Sequence, residues 1–196
     1  MKSIFSLLGT LLTAILALSA CTPAAPPSSE LRPAIVGEGF DLAARDLKGR
    51  FWSSEALQGK VVLITFWASW CGQCTQEMPL LEALQREYAA DGLQILTVAI
   101  DDDAASVSAF VHAADLSLPV IYDRYGELKQ MFAITTLPST YLIDRNGRQR
   151  RILDPATRQW TNFVAGPRAW NNTRTRQFMA TLLDESPPAT SNPSNH

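Results

Sequence analysis

Two continuous apolar runs lie in the middle of the chain, separated by a segment with helical periodicity. Residues 61–68 and residues 93–100 are rich in β-branched and aromatic side chains, which is typical of strands buried on both faces. Between them, apolar side chains recur three or four positions apart, which predicts an amphipathic helix; they are Met78, Leu81, Leu84 and Tyr88. Strand, helix and strand in this order predict a parallel βαβ unit.

Shorter patterns extend this alternation toward both ends of the domain. Residues 40–52 alternate around Gly49 and predict a β-hairpin, and Asn146-Gly147 predicts the turn of a second one. The remaining helices are predicted to begin near residues 101, 126 and 173, and the remaining strands to cover residues 118–122, 139–143 and 148–153. This order predicts an α/β fold, a mixed central sheet flanked by helices, with an N-terminal β-hairpin extension.

The N-terminal end differs in composition from the interior of the chain. Lys2 precedes an apolar stretch at residues 4–18, which is short for a membrane span and typical of a signal peptide over residues 1–20. The following Leu-Ser-Ala-Cys sequence resembles the lipobox of bacterial lipoproteins, which implies a lipid on Cys21 and attachment to the membrane. The alternative is an ordinary signal peptide in which Cys21 is incidental.

Composition also sets the expected domain boundaries and location. Proline, alanine and serine dominate residues 21–36, which predicts a tether, and residues 185–196 predict a disordered tail. Residues 37–184 remain as one domain, and export places it at the bacterial cell envelope, facing the periplasm or another extracytoplasmic space. The formal net charge is −2 without a strong basic cluster, which argues against nucleic acid as a partner. Arg148, Arg150 and Arg151 are expected on an exposed hairpin.

The chain has three cysteines, of which Cys71 and Cys74 form a CxxC pair. A single CxxC supplies two metal ligands, whereas a structural zinc site needs about four. The two histidines, His112 and His196, lie far from the pair in sequence, so we expect neither a metal nor another cofactor. A purely structural disulfide is disfavoured because closing so short a loop restrains the unfolded chain little.

The position of the pair between a buried strand and a helix predicts a redox role. Cys71 falls near the helix N-terminus, where free N–H groups and the helix dipole stabilise a thiolate. Cys74 lies one turn inward on the same face, so it is expected to resolve a mixed disulfide formed on Cys71. Glu77 follows one turn later and is a candidate for proton exchange with Cys74. The alternative for Glu77 is a solvated surface carboxylate.

Two motifs carry a family resemblance. VLITFWASWCGQC and TTLPSTYLIDRNG resemble the active-site turn and the cis-proline segment of thioredoxin-fold proteins, and CGQCTQEMP resembles the TlpA/ResA-like membrane-anchored thiol:disulfide oxidoreductases. The resemblance implies a thioredoxin-like fold and a cis bond before Pro138, whose preceding residue, Leu137, offers its backbone to a substrate strand. It also implies that Trp70 flanks the dithiol as a docking surface. AGPRAW, residues 165–170, resembles a C-terminal region of some of these lipoproteins.

The resemblance implies a reductase of protein disulfides that acts in cytochrome c maturation or cytochrome oxidase assembly. A membrane electron donor of the DsbD or CcdA type would keep it reduced. Two departures bear on this: Gln73 replaces a common proline between the cysteines, and Thr65 stands where thioredoxins place a buried aspartate. A disulfide oxidase or isomerase, a peroxidase or copper-handling protein, and a non-catalytic scaffold remain alternatives.

Overall fold

A computed structural model describes residues 35–101, 103–154 and 157–185, and at residues 35–38 and 153 it describes the backbone only. Eleven strands and four α-helices occur in these residues, and a short 3-10 helix at Glu55–Leu57 follows the third strand. The strands are β1 (Ile35–Gly39), β2 (Ala43–Arg45), β3 (Phe51–Ser53), β4 (Val61–Trp67), β5 (Leu93–Ala99), β6 (Val120–Tyr122), β7 (Ser139–Ile143), β8 (Arg148–Arg150), β9 (Ile152–Leu153), β10 (Trp160–Thr161) and β11 (Val164–Ala165). The helices are α1 (Gly72–Tyr88), α2 (Ala104–Ala113), α3 (Glu127–Met131) and α4 (Thr173–Leu183).

The central sheet is mixed, as the sequence predicts. Its order is β1-β8-β7-β4-β5-β6, with β11 also paired to β7. β4, β5 and β6 are parallel neighbours, whereas β7 runs antiparallel to β4 and continues into an antiparallel edge. β2 and β3 form a separate antiparallel pair, which confirms the predicted N-terminal hairpin. The predicted bounds of β7 and α4 agree with the structure.

The alternation of side chains along β4 divides the core between the two faces of the sheet. Leu63 and Trp67 point into one cluster, to which α1, α2 and α4 contribute apolar side chains together with the neighbouring strands. Ile64 and Phe66 point into the second cluster, which the N-terminal hairpin and α3 cover. Because both faces of β4 are covered, all seven of its residues are buried, which explains the continuous apolar run.

The strand predicted over residues 148–153 is divided in two. β8 pairs with β7, whereas β9 leaves the sheet and pairs with β10. β11 then returns to pair with Ser139 and Thr140 at the other end of β7. The prediction of one strand over residues 148–153 was wrong. β8 pairs with only one end of β7, and β11 pairs with the other end of the same edge. After this excursion and β11, Arg168 contacts Glu77 of the CxxC helix.

The prediction of an exposed basic hairpin was wrong for Arg150. Its guanidinium is buried and lies 3.0 Å from Asp144 and 3.1 Å from Glu185. Glu185 is the first residue of the predicted tail, and β1 begins at Ile35, within the last two positions of the predicted tether.

The predicted signal peptide, Cys21 and almost all of the predicted tether and tail lie outside the described residues. Of the helices in the described ranges, none combines the length and the apolar character that a membrane span requires.

Candidate active site

The CxxC pair lies where β4 passes into α1. The Cys71 N–H donates to the carbonyl of Ala68 at 3.1 Å, which closes a tight turn after the strand. Cys71 is the N-cap of α1, and its Sγ accepts the Cys74 N–H at 3.2 Å. The free N–H end of the helix therefore points at the Cys71 sulfur. In the reduced protein, this arrangement would favour a thiolate on Cys71, which is the charge state that the sequence predicts.

The two cysteines differ in their access to solvent. They form a disulfide with Cα atoms 5.2 Å apart. Cys71 is partly exposed, whereas Cys74 is fully buried among the apolar residues of α1 and β4. Only Cys71 is therefore accessible to an attacking or leaving sulfur from another protein.

Asp101 fixes the turn before Cys71, a role that the sequence analysis missed. It is buried at the end of β5, and its carboxylate accepts the Ser69 N–H at 2.9 Å as well as the Ser69 hydroxyl. The sequence predicts a helix start at residues 101–103, and of the two of these that the structure describes, Asp103 has that role, as the N-cap of α2. The sequence could have predicted this contact, because β4 and β5 are parallel and the residues that follow the two strands meet at one edge of the sheet.

A groove of about 840 Å³ opens beside Cys71. Its far wall is the segment before β7, where the Leu137–Pro138 bond is cis, as the resemblance implies. Apolar side chains and one lysine line it together with the CxxC turn: Trp70, Ile100, Lys129, Ile134 and Leu137. Gln73, Thr135 and Thr136 also line it, so the groove combines apolar and polar groups and reaches the exposed sulfur.

Of the residues that the resemblance places at a docking surface, Trp70 and Leu137 line the groove. Trp70 is 70% exposed beside Cys71, whereas Trp67 is fully buried in the core. Within the described ranges, no hydrogen bond occupies the backbone N–H or C=O of Leu137. Pro138 is buried and its carbonyl accepts the Gly166 N–H at 2.8 Å. Leu137 therefore presents the unpaired backbone that an added substrate strand would need.

Glu77 is only 2% exposed, so the alternative of a solvated carboxylate is wrong. Its Oε1 accepts the backbone N–H of Arg168. Burial raises the pKa of Glu77 from 4.5 to about 7, against smaller lowering effects from the Arg168 N–H, the Trp170 indole and the Arg168 charge. Although the Trp170 indole acts on this pKa, neither its Nε1 nor Glu77 Oε2 reaches hydrogen-bond geometry with any described residue. One carboxyl oxygen thus accepts a hydrogen bond, and the other is buried without a hydrogen-bond partner among the described residues.

Thr65, at the position of the thioredoxin aspartate, is fully buried and its hydroxyl lies 3.1 Å from that of Thr140. This pair satisfies both hydroxyls inside the sheet, and neither titrates near neutral pH. Glu77 is therefore the ionisable group buried next to the dithiol on α1.

We expect Thr65→Val to lower stability by about 1–3 kcal/mol, because it removes the partner of a buried hydroxyl, without altering the pH profile of disulfide reduction. Denaturant unfolding and rates from pH 5 to 9 measure the two effects. Thr97→Val is a matched control on the neighbouring strand β5, because the Thr97 hydroxyl also makes a hydrogen bond, to the Pro119 carbonyl at 2.9 Å. A pH profile altered in Thr65→Val but not in Thr97→Val would contradict the expectation.

Comparisons with known proteins agree with this geometry. A family model described as the AhpC/TSA family matches residues 36–152, more than half of the chain. The chain is 39% identical over 100 residues to the thiol-disulfide oxidoreductase ResA of Oceanobacillus iheyensis; the match covers 51% of this chain and 52% of that protein. The chain therefore spans about half the length of this relative.

Two solved structures share the fold. A Chlorobium tepidum protein assigned as the thiol:disulfide interchange protein DsbE has a TM-score of 0.64 and 25% identity, over 78% of this chain and 99% of that one. A Neisseria meningitidis protein assigned as a thioredoxin has a TM-score of 0.62 and 28% identity, over 76% of this chain and 91% of that one. The predicted thioredoxin-like fold is confirmed.

Proposed function

The chain belongs to the AhpC/TSA family, and from this premise we propose that it is a thiol:disulfide oxidoreductase that reduces disulfides in proteins. The observation that carries the proposal is the position of Cys71, partly exposed at the N-terminus of α1 and bordering a groove with the unpaired Leu137 backbone. A substrate strand paired with Leu137 would bring its disulfide to Cys71, and Trp70 would contact its apolar side chains.

The reaction starts from the reduced cysteines. The Cys71 thiolate attacks one sulfur of the substrate disulfide, which forms a mixed disulfide and releases the other substrate sulfur as a thiolate. Cys74 gives its proton to Glu77 and attacks the Cys71 sulfur. This step forms the Cys71–Cys74 disulfide and releases the second substrate thiolate, so two electrons pass to the substrate. The released thiolates take up protons, one of which Glu77 can return.

The resemblance to TlpA/ResA-like proteins supports the finer assignment. In this assignment a lipid on Cys21 anchors the domain outside the cytoplasm, and a membrane donor of the DsbD or CcdA type restores the dithiol. The substrates are then proteins of cytochrome c maturation or cytochrome oxidase assembly. A membrane source of electrons is required because an extracytoplasmic compartment is otherwise oxidising.

A redox titration of the Cys71–Cys74 couple tests the direction of electron flow. A reductase is expected to have a potential near that of thioredoxin, about −270 mV, whereas oxidases and isomerases lie at about −120 to −180 mV. A value near −120 mV would overturn the reductase assignment. Peroxide consumption by the reduced protein, faster than insulin reduction, would instead support the peroxidase alternative.

A further inference from the structure

A single segment joins the cis-proline loop to Glu77. We call residues 164–170 the strap. At its start, Val164 and Ala165 pair with the first residues of β7, and the Gly166 N–H donates to the carbonyl of Pro138 at 2.8 Å. Two residues later, the Arg168 N–H donates to Glu77 Oε1. The strap therefore contacts both the cis-proline loop and the carboxyl group that lies one turn after Cys74 on α1.

A buried ion pair holds the strap in this place. Arg168 Nη2 lies 2.8 Å from Asp154 Oδ2, and the two side chains are only 13% and 8% exposed. Asp154 immediately follows β9, at the start of the excursion that leaves the sheet. Removing two charges from water costs free energy that their attraction only partly returns, so a buried ion pair is weak evidence for stability alone. Its placement beside Glu77 suggests a role in positioning.

The hydrogen bond from the Arg168 N–H to Glu77 Oε1 determines which oxygen of the carboxyl group can carry a proton. Oε1 must remain an acceptor while it receives the Arg168 N–H, so a proton on Glu77 belongs on Oε2. Among the described residues Oε2 has no hydrogen-bond partner. The Arg168 guanidinium is the charged group that acts on the carboxyl, and Asp154 is paired with it. On α1 the two cysteines precede Glu77 by three and six positions, and Cys74 is the buried one of the two.

We propose that Arg168 and Asp154 are positioning residues, whose ion pair fixes the strap so that Glu77 Oε1 stays bound and Oε2 is free to exchange a proton with Cys74. The inference rests on the proposed function, in which Glu77 accepts the Cys74 proton. In this step the proton moves from Cys74 Sγ to Glu77 Oε2 and leaves a Cys74 thiolate. The strap also excludes water from the carboxyl and holds Pro138 at the groove.

The test uses Asp154→Asn, which removes the charge and keeps the size of the side chain. Insulin reduction by the full chain is measured from pH 5 to 9. We expect the acid limb of the profile to move down by about one pH unit or more, because a loosened strap admits water to the carboxyl. Arg168→Gln should have the same effect. Arg168→Lys retains the positive charge that pairs with Asp154, so it should restore most of the original profile.

The same substitutions in the Glu77→Gln background distinguish the proposed role of Glu77 in proton transfer from the proposed positioning role of the strap. Once the titrating group is absent, Asp154→Asn should cause no further change in the profile. If Glu77→Gln itself leaves the acid limb in place, the proposed role of Glu77 fails. If Glu77→Gln removes the limb but Asp154→Asn and Arg168→Gln leave it unmoved, the strap inference fails alone.

Asp144→Asn is the matched control, because it breaks another buried ion pair, with Arg150 at 3.0 Å, away from Glu77. Circular dichroism and denaturant unfolding of each variant establish that the assays are made on folded protein. We expect the control to lose stability and keep the original pH profile. An equal displacement of the acid limb in Asp144→Asn and Asp154→Asn would mean that lost stability, rather than positioning, causes the effect, and would overturn the inference.

Discussion

The Cys71→Ser variant should reduce insulin no faster than the background rate that is measured without the protein. The expectation follows from the geometry of the site, because Cys71 is the accessible sulfur of the pair and its Sγ receives an N–H at the start of α1. A serine hydroxyl at the same place is not ionised near neutral pH, so the attacking thiolate is lost. The fold should persist, since Cys71 lies at the surface end of the helix and the core does not depend on it.

Cys74→Ser separates attack from resolution. This variant keeps the attacking sulfur but cannot displace the substrate from it, so we expect a stable mixed disulfide on Cys71 and no turnover. Mass spectrometry after incubation with protein disulfides should find the adduct on Cys71, and in cells it should identify the substrates. Adducts that form equally well on Cys71→Ser through Cys74 would contradict the assigned roles. Retention of insulin reduction in both variants would favour the non-catalytic scaffold.

Glu77→Gln should slow resolution of the mixed disulfide and abolish the loss of stability that the wild-type protein undergoes as the pH rises from 4.5 through 7. The amide retains an oxygen for the Arg168 N–H but cannot accept the Cys74 proton. Removing a general base typically costs at least about a hundredfold in rate. Single-turnover kinetics of mixed-disulfide resolution measure this step. The rate deficit of the variant should narrow as the pH rises, because hydroxide then removes the Cys74 proton without the carboxylate.

The stability effect of Glu77→Gln follows from the raised pKa of the buried carboxyl. The folded state binds more protons than the unfolded state between pH 4.5 and about 7, so this contribution is complete below 4.5 and is lost as the pH rises through 7. The unfolding free energy of the variant minus that of wild type should therefore increase by about 3 kcal/mol between pH 4 and pH 8. Denaturant titrations at several pH values measure this difference.

Glu87→Gln provides the control on the same helix. Glu87 is an exposed carboxylate that lies 3.2 Å from Arg176, where solvent weakens the ion pair. We expect its substitution to change neither the resolution rate nor the pH dependence of stability by a comparable amount. A Glu77→Gln variant with the wild-type pH dependence of stability would show that the carboxyl is hydrated and would remove the basis for its proton transfer.

Local chemistry was sufficient to predict most of the fold and the centre of the site. The continuous apolar character of β4 indicated burial on both faces, and the turn signals placed β7 correctly. The assignment of Cys71 as the exposed cysteine needed only the start of a helix and the spacing of one turn. Each of these features depends on interactions within a few residues or on a periodicity within one element.

The sequence by itself determined the dithiol, its helix and the candidacy of Glu77, because neighbours in one helix have a known spacing. The tertiary structure alone decided the environment of that carboxyl. The chain leaves the sheet after Arg150 and returns to β7 at Val164, and this excursion brings Arg168 to a residue 91 positions earlier. Burial and hydrogen bonds between distant segments set a pKa, and local periodicity does not specify which distant segments meet.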